Sequence, residues 1–221
     1  MNAEGEMKVQ DVMNAMVDPT APEANPFRSV GFRHRSAQVI SSVFNPFSIM
    51  GTFLVVYAIQ HPAIRLGALW TLLLTIVFPG IAVLVGWMRG WWAHPDLIDR
   101  RERYIFLPSV CVGIFAGRMI AGHVAAGTAL PAILTTMLVY LLMIWIINFY
   151  WKISMHSSAA AGMTGLLTLL VGPWALLGLI GTAVIGWSRY ELGRHTLPQT
   201  IGGALLGLLV SIVVMRLTLP V

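Results

Sequence analysis

The stretch ALPAILTTMLVYLLMIWIINFY, residues 129–150, runs for 22 residues without a charged side chain. A helix needs about 20 mainly apolar residues to cross the hydrocarbon core of a bilayer, so this stretch predicts a membrane-spanning helix. Across the chain, 57% of residues are hydrophobic and 10% are charged, a balance that a soluble core of this length could not bury. The sequence therefore predicts an all-α, polytopic transmembrane helix bundle.

Six further apolar segments approach or meet the same length. The seven predicted spans are roughly 44–60, 66–88, 104–122, 129–150, 154–171, 173–188 and 199–219. If 44–60 only lies in the membrane interface, six spans remain. Residues 1–43 are polar and predict an extramembrane tail, followed by a single transmembrane domain over 44–221.

Positive charge is concentrated in the tail and in the loops. The formal net charge is +5, and Arg28, Arg33 and Arg35 lie just before the first predicted span. Cations that flank the first span favour the cytoplasmic side, so the tail is predicted to lie on the cytoplasmic side of the cell membrane. The aromatic and basic residues 27–35 suit the surface of anionic membrane lipids. No folded basic domain accompanies them, so nucleic acid is not an expected partner.

Three polar clusters stand out between the apolar segments, at residues 99–103, 151–157 and 188–195. An even number of predicted crossings separates each pair, which places all three at one face of the membrane, together with the tail when seven helices cross. Two histidines would then converge with five cations, Arg100, Arg103, Lys152, Arg189 and Arg194. Charged groups are costly within lipid unless they face a polar cavity, so the clusters predict an anion site, on the cytoplasmic face.

Phosphoryl transfer is a chemistry that uses this combination. It needs cations around the non-bridging oxygens, a nucleophile in line and an acid for the leaving group. One histidine can serve as nucleophile and a second as proton donor. Zinc is the competing use of histidine, but His156 and His195 lack an HExxH partner, a cysteine pair or clustered carboxylates. No metal and no other cofactor is therefore expected.

The third cluster resembles a motif of the integral-membrane type 2 phosphatidic acid phosphatases, also called lipid phosphate phosphatases. That motif is Ser-Arg, five residues, His, three residues, Asp. Ser188-Arg189 and His195 have its spacing, and Gln199 stands where the family has aspartate. The string Leu-Gly-Arg-His-Thr-Leu-Pro-Gln is similar to the form in divergent bacterial members, and its Gln to that of the dolichyl diphosphatases.

Two further motifs of the family are matched in part. Residues 153–156, Ile-Ser-Met-His, resemble the second motif, Pro-Ser-Gly-His. The first motif is Lys, six residues, Arg-Pro; here it would be Arg100, six residues, then Leu107-Pro108. Leucine cannot replace the arginine, and Arg103, one helical turn earlier, is the candidate to take over its contact. The resemblance covers about residues 95–210.

The resemblance implies a role for each matched residue. His195 would attack phosphorus and His156 would protonate the leaving oxygen. The substrate phosphate would be held by Arg189, Lys152, Arg100, Arg103 and Ser154. In the family the aspartate orients the nucleophile and stabilises its protonated form. Here Gln199 can accept a hydrogen bond but brings no charge, so either Glu191, one turn before His195 if the helix continues, substitutes for the aspartate or catalysis is weakened.

Two classes of function follow. The first is a metal-independent phosphatase acting on a lipid phosphate or diphosphate whose tail lies in the bilayer, which the two histidines and Arg189 favour. The second is a non-catalytic relative that binds anionic lipid or belongs to a larger membrane complex, which Gln199 and Leu107 favour. Specificity between phosphatidate and an isoprenoid diphosphate would lie in apolar walls that the sequence does not define.

Overall fold

A computed structural model of the chain describes residues 31–91 and 100–219, apart from the side chains of Arg100, Arg101 and Ile105. This part is helical, and no strand occurs in it. From Arg33 onward the helices belong to one unit. In chain order they are α1 (Phe32–Val43), α2 (Pro46–Gln60), α3 (Arg65–Leu72), α4 (Phe78–Met88), α5 (Arg100–Val124), α6 (Leu130–Tyr150), α7 (Met155–Val171), α8 (Gly178–Glu191) and α9 (Leu197–Thr218).

Four helical segments in the described ranges are long and apolar enough to cross a membrane. They are Pro62–Met88, Glu102–Val124, Leu130–Tyr150 and Leu197–Thr218. The pair α1 and α2 passes the same test together, although it is bent by 48°. The fold class is therefore an all-helical chain with four or five candidate spans. Helices α7 and α8, which the sequence analysis also predicted to cross, have 17 and 14 residues.

The bend between α1 and α2 lies at residues 44–45, directly after the predicted end of the tail at residue 43. Asn45 begins α2 as its N-cap, because its side-chain oxygen accepts a hydrogen bond from Ser48 N at 3.0 Å. Pro46 follows at the first turn of the helix, where its missing N–H costs nothing. Residues 32–43, predicted to belong to an extramembrane tail, form α1.

Between α3 and α4 the helix widens into a π turn at Leu73–Val77. Pro79 follows two residues later, and a proline ring clashes with the carbonyl group four residues earlier in a regular α-helix. A local π turn can accommodate a proline in a membrane helix without ending the helix. The span Pro62–Met88 therefore continues across the proline.

The outer surface of the bundle is apolar, as the face of α9 illustrates. Leu205, Leu209 and Val213, spaced four residues apart, are each more than half exposed. A surface helix in water carries polar residues at these positions. This surface suits contact with lipid.

The inner face of α9 packs closely on α7 through glycines. A Cβ atom added to Gly203 would lie 2.6 Å from the carbonyl oxygen of Ser154, and one added to Gly207 would collide with the carbonyl oxygen of Ser158. Small residues allow helix backbones to approach each other in this way. The Gly203-xxx-Gly207 pattern therefore serves contact within the chain.

We expect Gly207→Ala to destabilise the protein by about 1–3 kcal/mol, because the added methyl group forces α7 and α9 apart. Gly181→Ala is the matched control, since no neighbouring atom lies within 4 Å of the added Cβ. Unfolding of both variants in detergent micelles measures the difference. Equal stabilities would contradict the close packing of the two helices.

Candidate functional site

His195 lies in a short connection between α8 and α9 whose shape follows from its sequence. Gly193 has φ +63° and terminates α8 in a Schellman motif, in which Arg194 N donates to Arg189 O at 3.0 Å and Gly193 N to Tyr190 O at 2.9 Å. Thr196 is the N-cap of α9. His195 is therefore held between the end of one helix and the start of the next, and its own N–H bonds to Arg189 O.

Gln199 determines which nitrogen of His195 carries the proton. Its Oε1 atom accepts a hydrogen bond from Thr196 N at 3.1 Å, which is half of a capping box and fixes the oxygen on this side of the amide. The same oxygen lies 3.2 Å from His195 Nδ1. Because an amide oxygen only accepts, Nδ1 must be the protonated nitrogen of the neutral ring. Nε2 then carries the free lone pair.

The segment between α6 and α7 connects the part of the site that contains His156 to the part that contains His195. Ser154 N donates to the main-chain oxygen of Gln199 at 3.2 Å, so the start of α7 is fixed to the start of α9. The Ser154 side chain caps α7 by accepting from Ser157 N. His156 lies in the first turn of the helix that begins there.

Cations surround His195. Burial, and then the charges of Arg103, Arg189 and Lys152, lower the pKa of His195 from 6.5 to about 3, against a smaller opposite effect of the Gln199 hydrogen bond. Arg103 is 1% exposed, and its Nη1 donates to Ile153 O at 3.3 Å. The imidazole is consequently neutral at physiological pH.

His156 belongs to the same cluster. It is 4% exposed, lies within electrostatic range of Arg189, His195 and Arg103, and hydrogen bonds to the main chain of Ser41. Its Nε2 atom is buried and has no hydrogen-bond partner among the described residues. A buried nitrogen without a partner is costly in a folded protein, and a catalytic role is one of the explanations for such an atom.

Ser41 is a site residue that the sequence analysis missed. It is 3% exposed, and its Oγ accepts a hydrogen bond of 2.5 Å from Nη1 of Arg189, which is itself 1% exposed. Helix α1 thus contributes to the site through both Arg189 and His156. The only local signal was the amphipathic pattern of residues 32–43, in which Ala37 and Ser41 are the buried positions.

Each of the two histidines lines a different cavity. A polar pocket of about 600 Å³ is lined by Lys152, Arg194, His195 and Gln199, among others. An apolar cavity of about 430 Å³ has His156 in its wall. Each histidine therefore faces a different environment, one polar and one hydrocarbon-like.

The structure corrects one prediction and leaves another outside its reach. Glu191 was predicted to lie one turn before His195 if the helix continued; helix α8 instead ends at Glu191, and its carboxylate pairs with Arg33 at 3.1 Å. Gln199 makes the contact with His195 instead. The side chain of Arg100 lies outside the described residues. Leu107 is buried in the hydrophobic core and lines the apolar cavity.

Ser154, predicted to bind phosphate, has its hydroxyl engaged within the protein. It lies 3.1 Å from the hydroxyl of Ser157, in addition to its cap contact. In the described ranges no three His, Cys, Asp or Glu side chains form a group that could hold a metal ion. A reaction without metal stays a prediction.

Comparisons with protein-family models, with curated proteins and with solved structures each found no match to this chain. The function is therefore inferred from the residues and their geometry.

The lowered pKa of His195 predicts a pH effect on stability. Below pH 6.5 the unfolded chain binds a proton at this histidine, whereas the folded protein does not until about pH 3. Stability is thus lost as the pH falls through this window, on the order of 1 kcal/mol per pH unit, and is unaffected above it. Thermal unfolding at pH 7.5 and 4.5 should show a larger loss for the wild type than for His195→Gln. Parallel losses would contradict the shift, since the other titrating groups are common to both proteins.

Proposed function

We propose that this chain is a metal-independent membrane phosphatase that hydrolyses a lipid phosphate or diphosphate through a phosphohistidine at His195. The observation that carries the proposal is the position of the two histidines, one facing a polar pocket and one in the wall of an apolar cavity, within a cluster of cations. A lipid phosphate likewise combines a charged head group with an apolar tail. Its head would enter the polar pocket and its leaving group would point to the apolar side.

The arrangement suits an in-line displacement. Nε2 of His195 attacks phosphorus, the bond from phosphorus to the lipid oxygen breaks, and His156 gives a proton to that oxygen. Water then attacks the phosphohistidine, with His156 accepting its proton, and releases phosphate and neutral His195. The negative charge of the bound phosphate favours the protonated form of His156 that the first step requires.

Arg103, Arg189 and Lys152 would bind the phosphate oxygens and stabilise the charge that develops on them. Their effect on His195 before substrate binds is also useful, because it keeps the nucleophile unprotonated. Gln199 takes the orienting role that an aspartate has in the type 2 phosphatidic acid phosphatases, whose motifs the chain resembles. An amide orients the ring but brings no negative charge to stabilise an imidazolium.

A non-catalytic function is the second candidate, and two observations favour it. Gln199 replaces the carboxylate beside the nucleophile, and the carboxylate of Glu191 is paired with Arg33. In that case the cation cluster would bind an anionic lipid head group without hydrolysis, alone or as part of a larger membrane complex. Phosphate release distinguishes the two.

For topology, we propose that seven helical segments cross the cell membrane and that the site faces the cytoplasm. The contacts of α1 support this arrangement, since Arg33 pairs with Glu191 and Ser41 bonds to Arg189, so the chain before α2 lies at the same end of the bundle as the site. Arginines before the first span favour the cytoplasmic side.

His195→Ala should abolish phosphate release from a lipid phosphate, because the covalent intermediate cannot form. His156→Ala should lose most of the release with an alkyl leaving group and much less with nitrophenyl phosphate, whose leaving group needs no proton. His123→Ala is the control, as His123 is exposed in the last turn of α5. Wild-type turnover by His195→Ala would exclude the mechanism.

Cysteine labelling tests the shared cytoplasmic face. In a Cys111→Ala background, Ala15→Cys and Ala93→Cys should react with an impermeant maleimide only after the membrane of the cells is opened. Ala126→Cys, in the connection between α5 and α6, should react in intact cells. Labelling of Ala93→Cys but not Ala15→Cys in intact cells would contradict the proposed topology.

A further inference from the structure

The apolar cavity has a shape that the proposed reaction alone does not require. Along α7 its wall is formed by His156, Ala159, Met163 and Leu166, and along α5 by Val110 and Ile114, among others. These positions are spaced three, four or seven residues apart, so each set lies on one face of its helix. The cavity therefore extends along these two helices.

Its dimensions are those of a narrow chamber. From His156 to Leu166 a helix rises about 15 Å, at about 1.5 Å per residue. The volume of about 430 Å³ is distributed over that length. Such a chamber suits one extended hydrocarbon chain better than the two chains of a diacyl lipid.

The two ends of the chamber differ in polarity. At one end lies His156, whose buried Nε2 has no hydrogen-bond partner among the described residues. At the other end Leu166 and Ile114 are both buried and apolar. A molecule with a polar head and an apolar tail would fit in one orientation, with the head at the histidines.

The chamber also reaches the outer surface of the bundle. Ser48 on α2 and Leu84 on α4 line it, and Leu84 is 50% exposed. The opening therefore lies between α2 and α4, on the apolar surface. A lipid could enter from the side without passing through water.

We propose that this chamber takes up the tail of a single-chain lipid phosphate, so that the tail lies inside the bundle rather than in the bilayer during the reaction. The inference rests on the proposed function for the position of the head group. It assigns the substrate class as a phosphate or diphosphate on one long hydrocarbon chain. Chain length and chain number are then selected by the walls of the chamber.

Filling the chamber should change this selectivity. Ala159→Phe places a ring in it one helical turn from His156, so hydrolysis of dodecyl phosphate should fall at least about tenfold relative to hydrolysis of butyl phosphate. The matched control is Ala183→Phe, at an exposed position of α8 that does not line the cavity. An unchanged ratio between the two substrates in Ala159→Phe would overturn the proposal, and the ratio also corrects for any loss of folded protein.

A second experiment does not depend on turnover. Dodecyl phosphate with a diazirine at the end of its tail, irradiated with the wild-type protein, should label the peptides that contain Ile114 or Leu166. Labelling confined to lipid-facing residues such as Leu205 and Leu209 would overturn the chamber. Labelling at Ile114 or Leu166 without phosphate release from any substrate would support the chamber and refute the phosphatase.

Discussion

The hydrogen bonds of Gln199 are the contacts on which the candidate site depends. Its side-chain oxygen faces both His195 and the main chain of Thr196, and its main-chain oxygen accepts from Ser154. One residue thus orients the proposed nucleophile, begins α9 and fixes the start of the helix that carries His156. The site is therefore held at the end of α8 and at the starts of α7 and α9.

The surroundings of His195 explain why a histidine can be nucleophilic among so many cations. A positive environment and burial both oppose a second proton on the ring, so its pKa falls to about 3. In the proposed reaction the same cations would attract the phosphate that the ring attacks, and the charge of the bound phosphate would offset theirs.

Much of the fold could be predicted from the distribution of apolar residues. The predicted spans 129–150 and 154–171 differ from α6 and α7 by a single residue at one end. This agreement arises because proline and N-cap residues mark helix starts locally. Length and composition cannot show whether short helices such as α8 cross the membrane, so the predicted number of seven stays a prediction.

The candidate site was less accessible to sequence analysis, because its contacts join distant parts of the chain. Their spacing in the sequence predicted that Arg189, His195 and Gln199 belong to one site, since they lie within eleven residues of one another. The bond between Arg189 and Ser41 spans 148 residues, and the amphipathic pattern of residues 32–43 does not identify the partner of Ser41. The pairing of Glu191 with Arg33 was missed for the same reason: sequence distance favoured the nearby histidine over a partner in the predicted tail.

The docking of α1 gives the amino-terminal region a place in the site itself. Ser41 contacts Arg189 and His156, and Arg33 holds Glu191 a few residues from His195. Deleting the residues before α2 would therefore remove the contacts that Ser41 and Arg33 make with residues of the candidate site. An affinity tag or fusion partner attached close to α1 would disturb the same contacts. The choice of terminus for such an addition therefore affects the candidate site.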